Sequence, residues 1–176
     1  EYTKKIRSSI FMLGPLVARF GKAKVAYPGG CNIGSRPIDL HIKGLQSLNV
    51  KIEERHGFIY CEAKNIVGGE VHLDFPSVGA TENIMMASVF GKGTTKIYNA
   101  AKEPEIEDLQ NFINAMGGKV KGAGTSTIEV VGVNKLGGGE YTPISDRIIA
   151  GTYMIACASA GGKIELNNTN YAHNTA

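Results

Sequence analysis

Three features predict an α/β fold built from repeated units of about 70 residues, since internal self-similarity at a fixed period marks a repeat architecture. The segments PLVARFGKAKVAYPG, MMASVFGKGTTKIYNA and MIACASAGGKIELNN align on Gly21, Gly91 and Gly161, which stand at equal intervals. Each segment reads as an apolar helix closed by Gly, which suits the left-handed position after a helix, followed by a short β-branched strand. The helices at 10–20, 84–90 and 148–158 are apolar nearly all round, which marks helices buried inside sheets.

The rest of each unit also recurs. Pro37 opens a helix with Ile38, Ile42, Leu45 and Leu48 on one face. Glu105 opens another, with Ile106, Leu109, Phe112, Ile113 and Met116 on one face. Both carry acidic residues in the first turn, where the helix dipole favours them, and both should expose one face to solvent. A strand, a polar Gly-containing turn and a second strand follow each time: 50–53 then 58–62, and 118–121 then 127–131. A further strand near 71–73 leads into the second unit. A third unit begins at Asp146, and Pro143, after Gly137-Gly138-Gly139, is the expected hinge. The expected organisation is two repeat units in 1–143 and the start of a second domain in 144–176.

Composition excludes several classes. Of 176 residues, 43% are hydrophobic and 20% charged, so the chain has the material for a core and is not disordered. The 23 glycines have no three-residue period, which excludes collagen and implies tight turns. No apolar run is long enough to span a membrane. A net charge of +3 without a basic run or any Trp does not indicate nucleic-acid binding. Cys31, Cys61 and Cys157 make an odd set without CxxC spacing, which favours free thiols in a reducing compartment. The chain opens EYTKKIRSS, without Met or a signal pattern, so Glu1 is expected not to be the natural start.

Three features carry chemistry. Pro28-Gly29-Gly30-Cys31-Asn32-Ile33-Gly34-Ser35-Arg36-Pro37 is a loop that sets a thiol near a guanidinium and a helix N-terminus, both of which lower a thiol pKa. Such a thiol serves as acid or nucleophile, although a Gly-rich turn with an incidental Cys has the same composition. Phe75-Pro76-Ser77-Val78-Gly79-Ala80-Thr81-Glu82-Asn83 opens the second buried helix, where Ser77 suits the N-cap and free amides suit an anion. Capping and close packing alone explain the same residues. Arg7 and Arg147 stand at unit starts, where a guanidinium can hold phosphate or carboxylate or can be a plain surface charge. His41, His56, His72 and His173 show no metal spacing, and Cys61 and Cys157 read as core.

The run RSSIFMLGPLVARFGKAKVAYPGGCNIGSRPIDLHIKGL, with PSVGATENIMMA, GTTKIYNAAKEPEI and SDRIIAGTYM, strongly resembles the bacterial UDP-N-acetylglucosamine enolpyruvyl transferases over essentially the whole chain. The Cys loop separates that family from the 5-enolpyruvylshikimate-3-phosphate synthases, which share the fold. The resemblance implies an inside-out α/β barrel made of such units. It also implies transfer of the enolpyruvyl group of phosphoenolpyruvate to the 3′-hydroxyl of UDP-N-acetylglucosamine with release of phosphate. That reaction is the committed step of peptidoglycan synthesis in the cytoplasm, and it needs no metal or other cofactor.

By the matched motifs, Cys31 is the general acid that protonates the phosphoenolpyruvate methylene, forms an adduct with it and is alkylated by fosfomycin. Some members carry Asp there, so Cys31 implies sensitivity. Arg7 and Arg36 would hold the phosphate and carboxylate of phosphoenolpyruvate. Arg36, Pro37, Ile38, Asp39 and Leu40 match the uridine-binding run. Phe75, Pro76, Ser77 and Val78 match the segment beside the diphosphate, with Phe75-Pro76 where some members have Lys-Val. A Lys-Asn pair, a base Asp and a further Arg of the family fall outside 1–176. The chain therefore reads as an internal fragment of a transferase, expected to be inactive and marginally stable or self-associating when alone. A degenerate, non-catalytic UDP-sugar-binding or regulatory copy of the fold is the alternative.

Overall fold

The computed structural model describes residues 6–29 and 38–174. The chain divides into two compact units, Glu1–Glu140 and Tyr141–Ala176.

The first unit lays out the repeat twice. A 3₁₀ segment (Arg7–Met12) leads into α1 (Leu13–Phe20), β1 (Lys22–Ala26), α2 (Asp39–Ser47), β2 (Lys51–Arg55) and β3 (Phe58–Glu62). After β4 (Glu70–His72) come α3 (Val78–Ser88), β5 (Thr94–Tyr98), α4 (Pro104–Ala115), β6 (Val120–Lys121) and β7 (Thr127–Val131). Strand order repeats with them. β1 and β2 pair antiparallel with β3, and β5 and β6 pair antiparallel with β7, while β4 joins β5 in parallel.

The helices sit between the sheets. Alternation along β3 turns Ile59 and Cys61 inward, and alternation along β7 does the same for Ile128 and Val130. α1 packs on β1 and β3, α3 packs on β5 and β7, and α1 and α2 both pack on α3. α4 begins with Pro104 in its first turn and Glu105 and Glu107 at its positive end, and it buries Ile106 and Ile113.

α3 is the central helix, burying Ala80, Thr81, Asn83, Ile84, Met85, Ala87 and Ser88. Its one amide side chain is fully buried and bonded on both sides. At the change from 3₁₀ to α geometry, the Leu13 N–H donates back to the Ile10 carbonyl, the one an α-helix would offer to Gly14. The Gly14 N–H donates to Asn83 Oδ1 instead (2.7 Å), and Asn83 Nδ2 donates to the Ile10 carbonyl (3.1 Å). A methyl at position 14 would collide with the Asn83 carbonyl and side-chain oxygens, so Gly there is a packing requirement. Thr81 Oγ1 ties the same helix to the loop before α4 by accepting the Ala101 N–H (3.1 Å).

Several sequence expectations are corrected. Gly21 closes α1 at φ +71°, as expected, but Gly91 is not left-handed; Gly93 is, at φ +86°. What Gly91 supplies is size, because a Cβ there would lie 3.1 Å from the Ser88 carbonyl oxygen and 3.2 Å from the Ile66 side chain. The helical stretch at 10–20 is not buried all round: Met12, ending the 3₁₀ segment, and Phe20, ending α1, are exposed, since only one side meets α3 and the sheet. α5 (Arg147–Ala160), in the second unit, buries only Ala150 and exposes Ile148, Ile149, Tyr153 and Ile155. Cys157 on it is half-buried rather than core, whereas Cys61 is buried in β3 as expected. Residues 162–165 form no strand, having no strand beside them in that unit among the described residues.

Replacing Asn83 with Ala strands the Gly14 N–H and one bond of the Ile10 carbonyl in the core. The expected cost is about 3 kcal/mol or more. Gly14→Ala should cost about 1–3 kcal/mol by overpacking. Urea unfolding of each variant in the full-length protein checks both, with surface Lys43→Ala as the near-neutral comparison.

Candidate functional site

Two chain segments that occupy equivalent places in the repeat meet at one end of the helical layer. Arg7 opens the 3₁₀ segment, and Ser77, one full repeat later, caps α3. Between them lies a cavity of about 490 Å³. Its walls are Arg7, Ile10 and Phe11 on one side, Asp39, Leu40 and His41 from the start of α2 on another, and Phe75, Ser77, Val78 and Gly79 at the start of α3.

Six of the residues singled out by sequence are thus brought together: Arg7, Asp39, Leu40, Phe75, Ser77 and Val78. Ile38 is buried in the core at the N-cap of α2, and Pro76 is exposed and does not line the cavity. Cys31, Arg36 and Pro37 lie outside the described residues.

The α3 end is built to meet negative charge. Ser77 Oγ accepts the Ala80 N–H (3.4 Å), and the Ser77 carbonyl accepts the Thr81 N–H (2.9 Å). The Val78 and Gly79 amides, first in the helix, have no intrahelical acceptor, and the dipole adds positive potential there. Lys43 donates to Asp74 (2.6 Å), an exposed ion pair between α2 and the loop that carries Phe75. A larger cavity, about 660 Å³, lies beside Arg19, Phe90, Lys92 and Lys135. It sits at the C-terminal ends of α1 and α3, where the dipole opposes an anion.

Two residues to which the sequence assigns no role meet here, His41 in the cavity wall and Asn83 behind it. The His41 ring is 8% exposed, with Asn83 Nδ2 3.1 Å from its Nδ1 and Phe11 edge-on at 6.0 Å. Burial, aided by the Arg7 charge and opposed by Asp39, lowers its pKa from 6.5 to about 4, so the ring is neutral at pH 7. An Asn inside an apolar helix was the available signal, because a buried amide demands partners.

Glu82, beside Asn83 in the chain, shows the opposite shift. Burial, with Glu105 and Glu103 adding repulsion, raises its pKa from 4.5 to about 7. The His41 contribution to stability is present above pH 6.5 and lost as pH falls toward 4. That of Glu82 is present below pH 4.5 and lost as pH rises through 7. The two oppose each other between pH 4.5 and 6.5. Glu82→Gln should therefore leave a stability that falls on acidification across that window, by about 2–3 kcal/mol. His41→Gln should leave one that falls on alkalinisation. Urea unfolding at stepped pH, following the domain that carries α3 in the full-length protein, reads both slopes.

Comparison with known proteins gives the following. All of residues 1–176 match the family described as EPSP synthase (3-phosphoshikimate 1-carboxyvinyltransferase). UDP-N-acetylglucosamine 1-carboxyvinyltransferase 1 of Caldanaerobacter subterraneus subsp. tengcongensis is 55% identical over 173 residues, 98% of this chain and 42% of the relative. The protein of the same name from Carboxydothermus hydrogenoformans is 58% identical over 164 residues, 93% of this chain and 39% of the relative. The chain thus spans about two fifths of the length of these relatives. Among solved structures, the enolpyruvyl transferase NikO of Streptomyces tendae superposes with a TM-score of 0.72 at 20% identity, covering 86% of this chain and 36% of its own. EPSP synthase of Acinetobacter baumannii gives 0.62 at 23%, covering 86% and 35%. These structural likenesses bear on the fold, which is the mixed α/β architecture of the enolpyruvyl transferases.

Proposed function

The chain belongs to the EPSP synthase family, and from that premise we propose that the protein carrying it transfers the enolpyruvyl group of phosphoenolpyruvate to the 3′-hydroxyl of UDP-N-acetylglucosamine. The observation that carries this reading is the set of relatives at 55–58% identity, all named UDP-N-acetylglucosamine 1-carboxyvinyltransferase, rather than the shikimate enzyme that names the family. The cavity supports it. Both substrates are anionic, and an Arg and the open amides of a helix N-terminus face that space.

In this reading 1–143 holds two repeat units of the first domain and 144–176 opens the second. Asp39 and Leu40 address the uridine, and Ser77 and Val78 the diphosphate. Arg7 and Arg36 take the phosphate and carboxylate of phosphoenolpyruvate. Cys31 gives a proton to the methylene carbon as the sugar hydroxyl, losing its own proton to the family's base Asp outside 1–176, adds to the adjacent carbon. Loss of a methyl proton and of phosphate then restores the vinyl group. Supplying substrate to peptidoglycan synthesis places the reaction in the cytoplasm. No helix among the described residues is long and apolar enough to cross a membrane.

In the full-length protein, phosphate release should require both phosphoenolpyruvate and UDP-N-acetylglucosamine. Shikimate 3-phosphate should not replace the sugar nucleotide; release with it instead would overturn the assignment. Cys31→Ala should lower turnover by about 10²–10⁴, the usual contribution of a general acid. Fosfomycin should add its mass to Cys31 in the native protein.

A further inference from the structure

The orientation of the Asn83 amide fixes where the His41 proton sits. A backbone N–H only donates, so the Asn83 atom 2.7 Å from the Gly14 nitrogen is the oxygen. The Asn83 nitrogen therefore faces the Ile10 carbonyl, which only accepts. One of its two hydrogens goes there, and the other points at His41 Nδ1. His41 Nδ1 is thus an acceptor, since an Nδ1–H would set two donors against each other. The proton of the neutral ring is on Nε2.

That Nε2–H is turned toward the cavity. A Cβ built on Gly79 would lie 3.1 Å from His41 Cε1 and 3.2 Å from Nε2, so the ring edge reaches the first turn of α3, and Gly79 makes room for it. Among the described residues no acceptor pairs with this N–H. The ring is 8% exposed, and its Nε2 is not sealed, so water or a ligand in the cavity can take this N–H. Beside it, the Val78 and Gly79 amides are donors as well. The charged groups acting on the ring are Arg7, from the 3₁₀ segment, and Asp39, from its own helix.

We propose that His41 donates its Nε2–H to a phosphate oxygen seated at the N-terminus of α3, and that Asn83 is the positioning residue that holds the ring in that tautomer. This rests on the reading of the cavity as a sugar-nucleotide site and adds a donor to it. The advantage of a neutral donor is physical: it meets the anion without placing a buried cation beside the Arg7 charge, and it does not change charge near neutral pH.

The test uses the full-length protein with its histidine rings labelled with ¹⁵N. At pH 7, His41 is expected as the neutral Nε2–H tautomer, and its Nε2–H resonance should shift on adding UDP-N-acetylglucosamine but not uridine. An imidazolium or an Nδ1–H ring at pH 7 overturns the proposal. Asn83→Asp offers Nδ1 a second oxygen and should move the proton to Nδ1; a folded variant that keeps the Nε2–H ring removes the positioning role. In calorimetry, His41→Phe should bind UDP-N-acetylglucosamine about tenfold more weakly, the loss of one hydrogen bond to a charged group, with uridine affinity unchanged. His41→Gln, which can return an amide N–H at similar reach, should recover most of that loss. Equal affinity of the wild type and both variants overturns the proposal while leaving the sugar-nucleotide reading intact. Failure of the wild type itself to bind the UDP-sugar overturns that reading, and this proposal with it.

Discussion

One buried amide holds the helical layer together. Asn83 commits its oxygen to the N–H that a change of helical geometry at Gly14 leaves without a carbonyl, and its nitrogen to the Ile10 carbonyl and the His41 ring. Three helical segments are thereby fixed relative to α3. An apolar side chain of similar size would fill the space but leave the buried Gly14 N–H unpaired, so this is a place where a polar core residue is required. The close approach that makes these bonds possible needs Gly14 on the opposing helix.

The repeat explains why a site arises at this end. Successive units present their helix starts, Arg7 and Ser77, to the same cavity. Symmetry brings the two starts together, and its breaking makes them useful. One contributes a guanidinium and the other a cap with open amides. Likewise Asn83 in α3 stands where α1 has Leu13, so only one of the two central helices carries the amide. The larger cavity at the helices' C-terminal ends has cations but faces the wrong end of the dipoles.

Much of this was legible in the chain itself. The repeat, the strand pairs and the amphipathic helices α2 and α4 follow from spacing and periodicity, which are local. The errors share another cause. Apolar composition marks α1 and α5 as buried, but burial also requires a neighbour, and Met12, Phe20 and the Ile148 face have none beside them within their own units among the described residues. The segment at 162–165 reads as a strand and forms none, because a strand exists only through its partner. At the site, charged residues in motifs were visible as candidates, whereas the roles of His41 and Asn83 were not. Their importance lies in a contact between residues 42 positions apart, and periodicity carries no trace of it.

Which end of α3 receives the nucleotide decides the function assigned to this cavity. A crystal structure of the full-length protein with UDP-N-acetylglucosamine bound tests this most directly. The diphosphate should lie within hydrogen-bond reach of the Val78 and Gly79 amides, with the uracil near Asp39. A nucleotide seated instead beside Arg19, Lys92 and Lys135 would contradict it.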